Sequence, residues 1–318
     1  TPDAALKVCQ SIASVFRGMI YWGSGGVTAT ADRDLDPVKL ITPSNVIGGL
    51  INWSGGGLKA HHTAVMVTWY DPADLYRTAI EVVEGDPEDI ERFGYRTLEL
   101  VAYGCTSRGQ AHRMGRWALE TEASEAEAAN WQASFDHSDV YPGEIVEVQD
   151  PAYAGVNFGG RIVAQPTTTS LQLDRPITLE VGKTYSIRTT LFDGTIEQRT
   201  ITTALGVITD TLSIDSAFSA VPIIGAVWII TSSAVAPREM KIISRKESKN
   251  LYDISAILHD PTKYARIEQN LALERPVYTV LPSGAIQPPT ALAWDESLTL
   301  VSGAAARSRF VLSWAASP

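Results

Sequence analysis

Cysteine is nearly missing from this sequence. Cys9 and Cys105 are the only two, too few for a disulfide framework and without the spacing of a metal site. They read as two small thiols, buried or half-buried. Long apolar runs are missing too. The best candidate, residues 220–230, is broken by Pro222 and Gly225 and is about half the ~20 residues a membrane-spanning helix needs. No stable membrane insertion is expected. Basic residues are outnumbered: 26 Lys and Arg against 36 Asp and Glu leave a formal net charge of −10. A surface of that sign repels phosphate backbones, so tight nucleic-acid binding through a basic face is not expected. No Met opens the chain, and no leader peptide follows Thr1. The residue pattern is already under way at the first positions, so the sequence is expected to be a fragment of a longer protein.

What is present is a β-rich globular composition, with 45% hydrophobic residues and plentiful Thr, Val and Ile. A length of 318 residues suggests two or three domains. Helical spacing of Leu6, Cys9, Ile12 and Phe16 predicts a helix over 4–17, capped by Asp3 and ended by Gly18. A hairpin over 19–31 turns at Gly23, Ser24, Gly25 and Gly26. The run of three glycines at 55–57 lacks the Lys-Ser/Thr of a phosphate loop and reads as a flexible loop. Alternation of Val65, Val67 and Trp69 predicts a half-buried strand, and 75–84 and 95–103 read as further strands. Asp86 and Pro87 start a short helical turn. Ser107 opens a second clear helix, running to about Glu122, with a capping box to Gln110 and an apolar stripe of Ala111, Met114, Trp117 and Ala118. Ala129, Trp131, Ala133 and Phe135 alternate as a strand, and 144–148 pairs back across the turn at Tyr141, Pro142 and Gly143. From about 160 to 232 short strands follow one another, with a hairpin turn at Asp193-Gly194. Two long strands return over 238–259, with Met240, Ile242 and Ser244 and then Leu251, Ile254 and Ile257 in phase. A helix follows from Pro261 through Tyr264, Ile267 and Leu271. After a Pro-rich stretch, the segments around Leu292 and Trp294 and around Phe310, Leu312 and Trp314 look like the first two strands of a fibronectin type III sandwich, which needs seven.

The search for chemistry yields little. His61 and His62 have no third ligand at metal spacing and read as exposed loop residues. His112 lies near Ser107 and Cys105, but the nucleophile elbow is missing. His137 and His259 read as polar groups of turns. Glu120, Glu122, Glu125 and Glu127, and separately Asp86, Glu88, Asp89 and Glu91, form carboxylate clusters that read as solvated faces. A glycosidase would need two carboxylates facing across a cleft. Asp32, Asp34 and Asp36 alternate but lack the Gly and the distal Glu of a calcium loop. Among the eight tryptophans, Trp69, Trp117 and Trp131 sit on apolar phases and read as core. Trp22 and Trp53 flank glycine-rich loops and read as core or subunit contact, with core the leading reading for Trp22. No catalytic, cofactor-binding or metal-binding residue is assigned.

The densest sequence signal is the stretch 95–122, which runs Tyr95-Arg96-Thr97-Leu98-Glu99-Leu100, then Gly104-Cys105-Thr106-Ser107-Arg108-Gly109-Gln110-Ala111, then Arg116-Trp117-Ala118-Leu119-Glu120-Thr121-Glu122. It resembles the tip attachment protein J family of long-tailed phages, also called host-specificity or central fibre proteins. The segments at 65–72, 90–94 (Ile90-Glu91-Arg92-Phe93-Gly94), 141–146 and 159–162 (Gly159-Gly160-Arg161-Ile162) are similar to the family's in the same order. The resemblance covers roughly 1–275. It implies an α+β, mostly β fold: baseplate-hub-like mixed domains with an inserted small β-barrel and the start of a fibronectin type III sandwich. The expected division is 1–164, mixed hub domains; 165–235, the inserted barrel; 236–280, hub continuation; and 281–318, linker and first sandwich strands. The implied role is a non-enzymatic structural hub that closes the tail tube and supports host attachment and genome delivery. The implied partners are two further copies in a homotrimer, other tail-tip and baseplate proteins, and a host receptor read by regions beyond this sequence. Such a hub is expected in the virion, at the tail tip, after assembly in the host bacterial cytoplasm. The competing readings are a tail-tip carbohydrate-active hydrolase and a glycan-binding β module.

Overall fold

A computed structural model describes residues 2–23, 25–56, 61–156, 158–164, 166–232, 236–268, 273, 290–301 and 305–315. The chain forms two units, 1–271 and 272–318. In the first, helix α1 (Pro2–Val15) leads into the hairpin β1 (Gly18–Gly23) and β2 (Gly26–Ala31). The helix begins at Pro2, so Asp3 lies inside it and not at its cap. It ends at Val15, and Arg17 makes the turn in the left-handed region with φ 61. The predicted apolar stripe is not core: Ile12 and Phe16 are exposed and Cys9 is half-buried, and among the described residues Ala13 is the one that α1 buries.

Short strands β3 (Lys39–Ile41) and β4 (Asn52–Gly55) precede a three-stranded sheet of β5 (Ala64–Asp71), β6 (Arg77–Glu84) and, after helix α2 (Pro87–Phe93), β7 (Thr97–Val101). Gly55, predicted in a loop, is the last residue of β4. Strand β5 is central, antiparallel to β6 and parallel to β7. Asp86 caps α2 as expected, accepting from the Glu88 amide at 3.0 Å. Helix α3 (Arg108–Ser124) lies on one face of this sheet, burying Ala111, Met114, Ala118 and Leu119 against Val65, Val67, Trp69 and Val83. Ser107 caps it at 3.4 Å from the Gln110 amide. The capping box is only half made, because the Gln110 side chain donates to the Val15 carbonyl instead.

Strands β8 (Glu127–Ala133) and β9 (Ile145–Val148) enter a six-stranded sheet of order β3-β9-β16-β17-β8-β4, completed by β16 (Arg238–Ser248) and β17 (Leu251–Leu258). Two expectations fail here. Phe135 leaves the strand for a 3₁₀ turn and is 78% exposed. β9 does not pair back onto β8; it pairs antiparallel with β16 and parallel with β3. The buried phase of β17 is Tyr252, Ile254 and Ala256, so of the residues read in phase Ile254 is buried while Leu251 and Ile257 are half-buried on the other face, because a strand buries alternate residues.

Between β9 and β16 the chain forms helix α4 (Pro151–Ala154) and a second six-stranded sheet. Its strands are β10 (Gly159–Ala164), β11 (Ser170–Thr178), β12 (Tyr185–Thr190), β13 (Ile196–Thr200), β14 (Ile208–Ser213) and β15 (Val227–Ser232), in the order β13-β12-β15-β10-β11-β14. The sheet curls on itself, and its edges touch at the Ile201–Ile214 bridge. It encloses a core that includes Ile162, Leu171, Leu179, Ile187, Leu212, Trp228 and Ile230. The first of these strands begins at Gly159, ahead of the boundary at 165 read from the sequence pattern. Because Val148 and Arg238 are cross-strand neighbours, the curled sheet leaves and re-enters the other sheet at one point. The unit ends with helix α5 (Lys263–Glu268), which starts two residues after Pro261; the predicted continuation to Leu271 lies outside the described residues. In the second unit, β18 (Thr290–Val301) and β19 (Ala305–Ala315) form one hairpin.

Candidate functional site

Two lysines and two carboxylates meet in the interior where β2, α3, β16 and α5 converge. Lys241 Nζ lies 2.9 Å from Asp32 Oδ1 and 2.9 Å from Glu125 Oε2. Lys263 Nζ lies 2.8 Å from Asp32 Oδ2 and 2.8 Å from Glu125 Oε1. All four side chains are at most 4% exposed. The alternating square is charge-neutral, which is what makes it tolerable away from water. Further donors complete it: Trp117 Nε1 and Tyr264 Oη each donate to Asp32, at 2.6 and 2.7 Å. Burial pushes the Asp32 carboxyl up, but Lys241 and Lys263 outweigh it and hold the group well below the carboxylate range. Burial would lower Lys241, but Asp32 and Glu125 overcome it and raise it. Lys263 goes the other way, lowered by burial and by Lys241. The Tyr264 phenol is raised by burial and by its bond to Asp32. Neither lysine was singled out from the sequence. The one available signal was a lysine between Met240 and Ile242 on a strand.

A second ionic centre fastens α3 to β6. Glu81, almost fully buried, accepts from Arg108 Nε at 2.6 Å and lies 3.0 Å from His112 Nδ1. The dense stretch around 104–117 thereby has identifiable structural roles. Cys105 is buried, Ser107 caps the helix, Arg108 and His112 hold Glu81, and Trp117 reaches Asp32.

Several sequence readings change. His61 and His62 are half-buried, not exposed. His62 Nδ1 lies 2.9 Å from Glu122 Oε2, and His61 packs edge-on to Phe93. His137 and His259 are buried. The glutamates at the end of α3 and just beyond it are not a solvated face, because each meets a different partner. Glu120 takes Arg266 at 2.7 Å, Glu122 takes His62, Glu125 joins the square, and Glu127 takes Arg238 at 3.6 Å. Asp32 is in the square while Asp34 lies 3.4 Å from His259, so the Asp32, Asp34 and Asp36 run is not one site. Among the described residues no three His, Cys, Asp or Glu side chains are grouped for a metal ion.

Residues 4–165 match the family described as "Putative phage tail protein". The chain belongs to this phage tail protein family. Among curated proteins it is similar to two named tip attachment protein J. One, from Escherichia phage SECphi27, is 28% identical over 287 residues, covering 87% of this chain and 24% of that protein. The other, from Escherichia phage SECphi4, is 24% identical over 291 residues, covering 90% and 25%. The chain spans about a quarter of the length of these relatives. Among solved structures it is similar to a chain of the virion of a native gene transfer agent particle, at TM-score 0.40 and 11% identity over 82% of this chain and 40% of that one. It is also similar to a tail protein from Neisseria meningitidis MC58, at TM-score 0.34 and 9% identity over 80% and 54%.

For a tail protein, the outward apolar faces matter as much as the interior. Tyr21 stacks on Tyr141 from the inner face of the β1–β2 hairpin. The outer face pairs Trp22 with Val27 and Ile20 with Ala29. Trp22 is 74% exposed, which corrects its reading as core. Trp53 is half-buried, donating to Asp150 at 2.7 Å and packing on Tyr153. The three-stranded sheet is covered by α3 on one side only. On the other, Ile80, Val82 and Val101 are 62%, 48% and 50% exposed. Apolar faces of this kind are common where subunits meet.

Proposed function

We propose that this protein is a structural hub at the tip of a long-tailed phage tail. The observation that carries the reading is the pair of relatives named tip attachment protein J, similar along nearly the whole chain. In this reading three copies form a ring around the tail axis, close the tube and support host attachment and genome delivery. The partners are other tail-tip and baseplate proteins, and a host receptor read by regions beyond this sequence. The location is the virion's tail tip, after assembly in the host bacterial cytoplasm.

The uncovered apolar faces support a protein that works by assembly. Residues 1–164 and 236–280 form the hub domains in this proposal. The stretch 165–235 forms most of an inserted small barrel, and 281–318 opens a fibronectin type III-like domain. The hairpin of β18 and β19 supports that last assignment, since it is too small to bury Trp294, Phe310 and Leu312, all exposed. Electron micrographs of tails decorated with antibody against this chain test the reading. Label at the tip is expected, and label on the head or along a side fibre would overturn it.

A further inference from the structure

We propose that α5 is a detachable strap, held to the body by one buried apolar side chain and otherwise by charged and polar contacts, whose release leaves the rest of the first unit folded. A six-residue helix has no stability of its own in water, so α5 exists because of what it touches. Its buried residues are Lys263 and Ile267, and Ile267 belongs to none of the hydrophobic clusters of the body. Its other attachments are polar. Lys263 joins the buried square, and Tyr264 donates to Asp32. Arg266 bonds Glu120, and Glu268 accepts from Arg113 Nε at 2.9 Å with Arg17 at 3.7 Å. Helix α3 presents the receiving groups in order, with Thr121 and the capping Glu125 at the start of α5 and Arg113 at its end. The strap therefore lies antiparallel along α3.

The contacts fall into two tiers. The outer pairs, at Glu268 and Arg266, are partly exposed and weaken as salt screens them. The inner pair is dry. When Lys263 leaves, Lys241 is the one lysine left against Asp32 and Glu125, with His259 Nδ1 3.7 Å from Glu125 and Trp117 still donating to Asp32, and the two-against-two balance of the square is lost. That imbalance favours a strap fully seated or fully released over one that slides. Release takes one apolar side chain, Ile267, and one charge, Lys263, out of the interior and leaves the clusters around α3, β16 and the curled sheet otherwise intact, so α5 is expected to open before they do. The inference is independent of the hub reading, because it concerns only how this chain holds α5.

Hydrogen exchange of the full 318-residue chain tests it. Amides of 263–268 should exchange roughly tenfold or more faster than those of 111–121. High salt should speed the first group and leave the second unchanged. Lys263→Met should do the same, and the double variant Arg113→Ala with Glu268→Ala, which removes only partly exposed charges, keeps the test open where Lys263→Met fails to fold. Equal protection of α5 and α3 in the natural chain would overturn the proposal. So would a double variant with unchanged α5 exchange, or one that loosens both helices together.

Discussion

His137 is a residue whose chemistry is decided by burial. It is 0% exposed, and among the described residues neither ring nitrogen has a hydrogen-bond partner. Burial first, then the nearby Lys39, push its pKa down to about 4 against the opposing pull of Asp136 and Asp139. The folded chain thus resists a proton that the unfolded chain accepts near pH 6.5. Stability from this group is intact above about pH 6.5 and falls as the pH drops toward 4, by up to about 3 kcal/mol. Chemical denaturation at pH 7 and pH 4, for the natural chain and for His137→Leu, measures it. The loss specific to acid should be smaller in the variant by roughly that amount. In the sequence His137 reads as a polar group of a turn. It does sit in a turn, but the side chain's direction, inward, is set by neighbours far along the chain.

At the level of elements, α3 shows how much of the dense sequence stretch is packing. Gly115 lets the helix approach the sheet. A Cβ there would lie 2.7 Å from Val83 Cγ2 and 3.1 Å from Val67 Cγ2, both on stiff β-branched side chains. Ala improves helix propensity by about 1 kcal/mol, but overpacking costs about 1–3 kcal/mol. Gly115→Ala is therefore expected to lower stability by about 1 kcal/mol net, read as a lower denaturant midpoint with an unchanged slope. A stabilised variant would show that the helix can lift freely off the sheet. The helix itself was legible, with its Ser107 cap and its stripe of Ala111, Met114 and Ala118, because those signals are local. Its ionic fastening to Glu81 was not, since Glu81 lies on a strand 27 residues from Arg108.

For the whole molecule, the telling feature is that β9 and β16 are neighbours although the curled sheet lies between them in sequence. A detour that begins and ends at adjacent backbone positions, ~5 Å apart, is removable in principle. Replacing 156–235 with a short Gly-Ser linker should leave a cooperatively folding body. Its stability should drop by about 2–4 kcal/mol, because Leu40 loses its packing on Val227 and Ile229 and Glu147 loses Arg188. Circular dichroism with denaturant titration checks this. Loss of the cooperative transition would mean that the curled sheet is a structural support of the body.

Periodicity, caps and turn residues in the sequence determined where most strands and helices lie, because each depends on residues within a few positions of one another. The ordered motifs from Tyr95 to Glu122 determined the family resemblance. What only the tertiary structure decided is which strands are neighbours, and which charges are buried together. Asp32, Glu125, Lys241 and Lys263 come from four separate segments. No spacing rule connects them, because their meeting point is set by the packing of α3 and α5 across the sheet. The outward apolar faces are likewise a tertiary result. The stripe of α1 is helical in sequence whether or not anything covers it, and only the fold leaves Ile12, and Phe16 just past the helix, exposed.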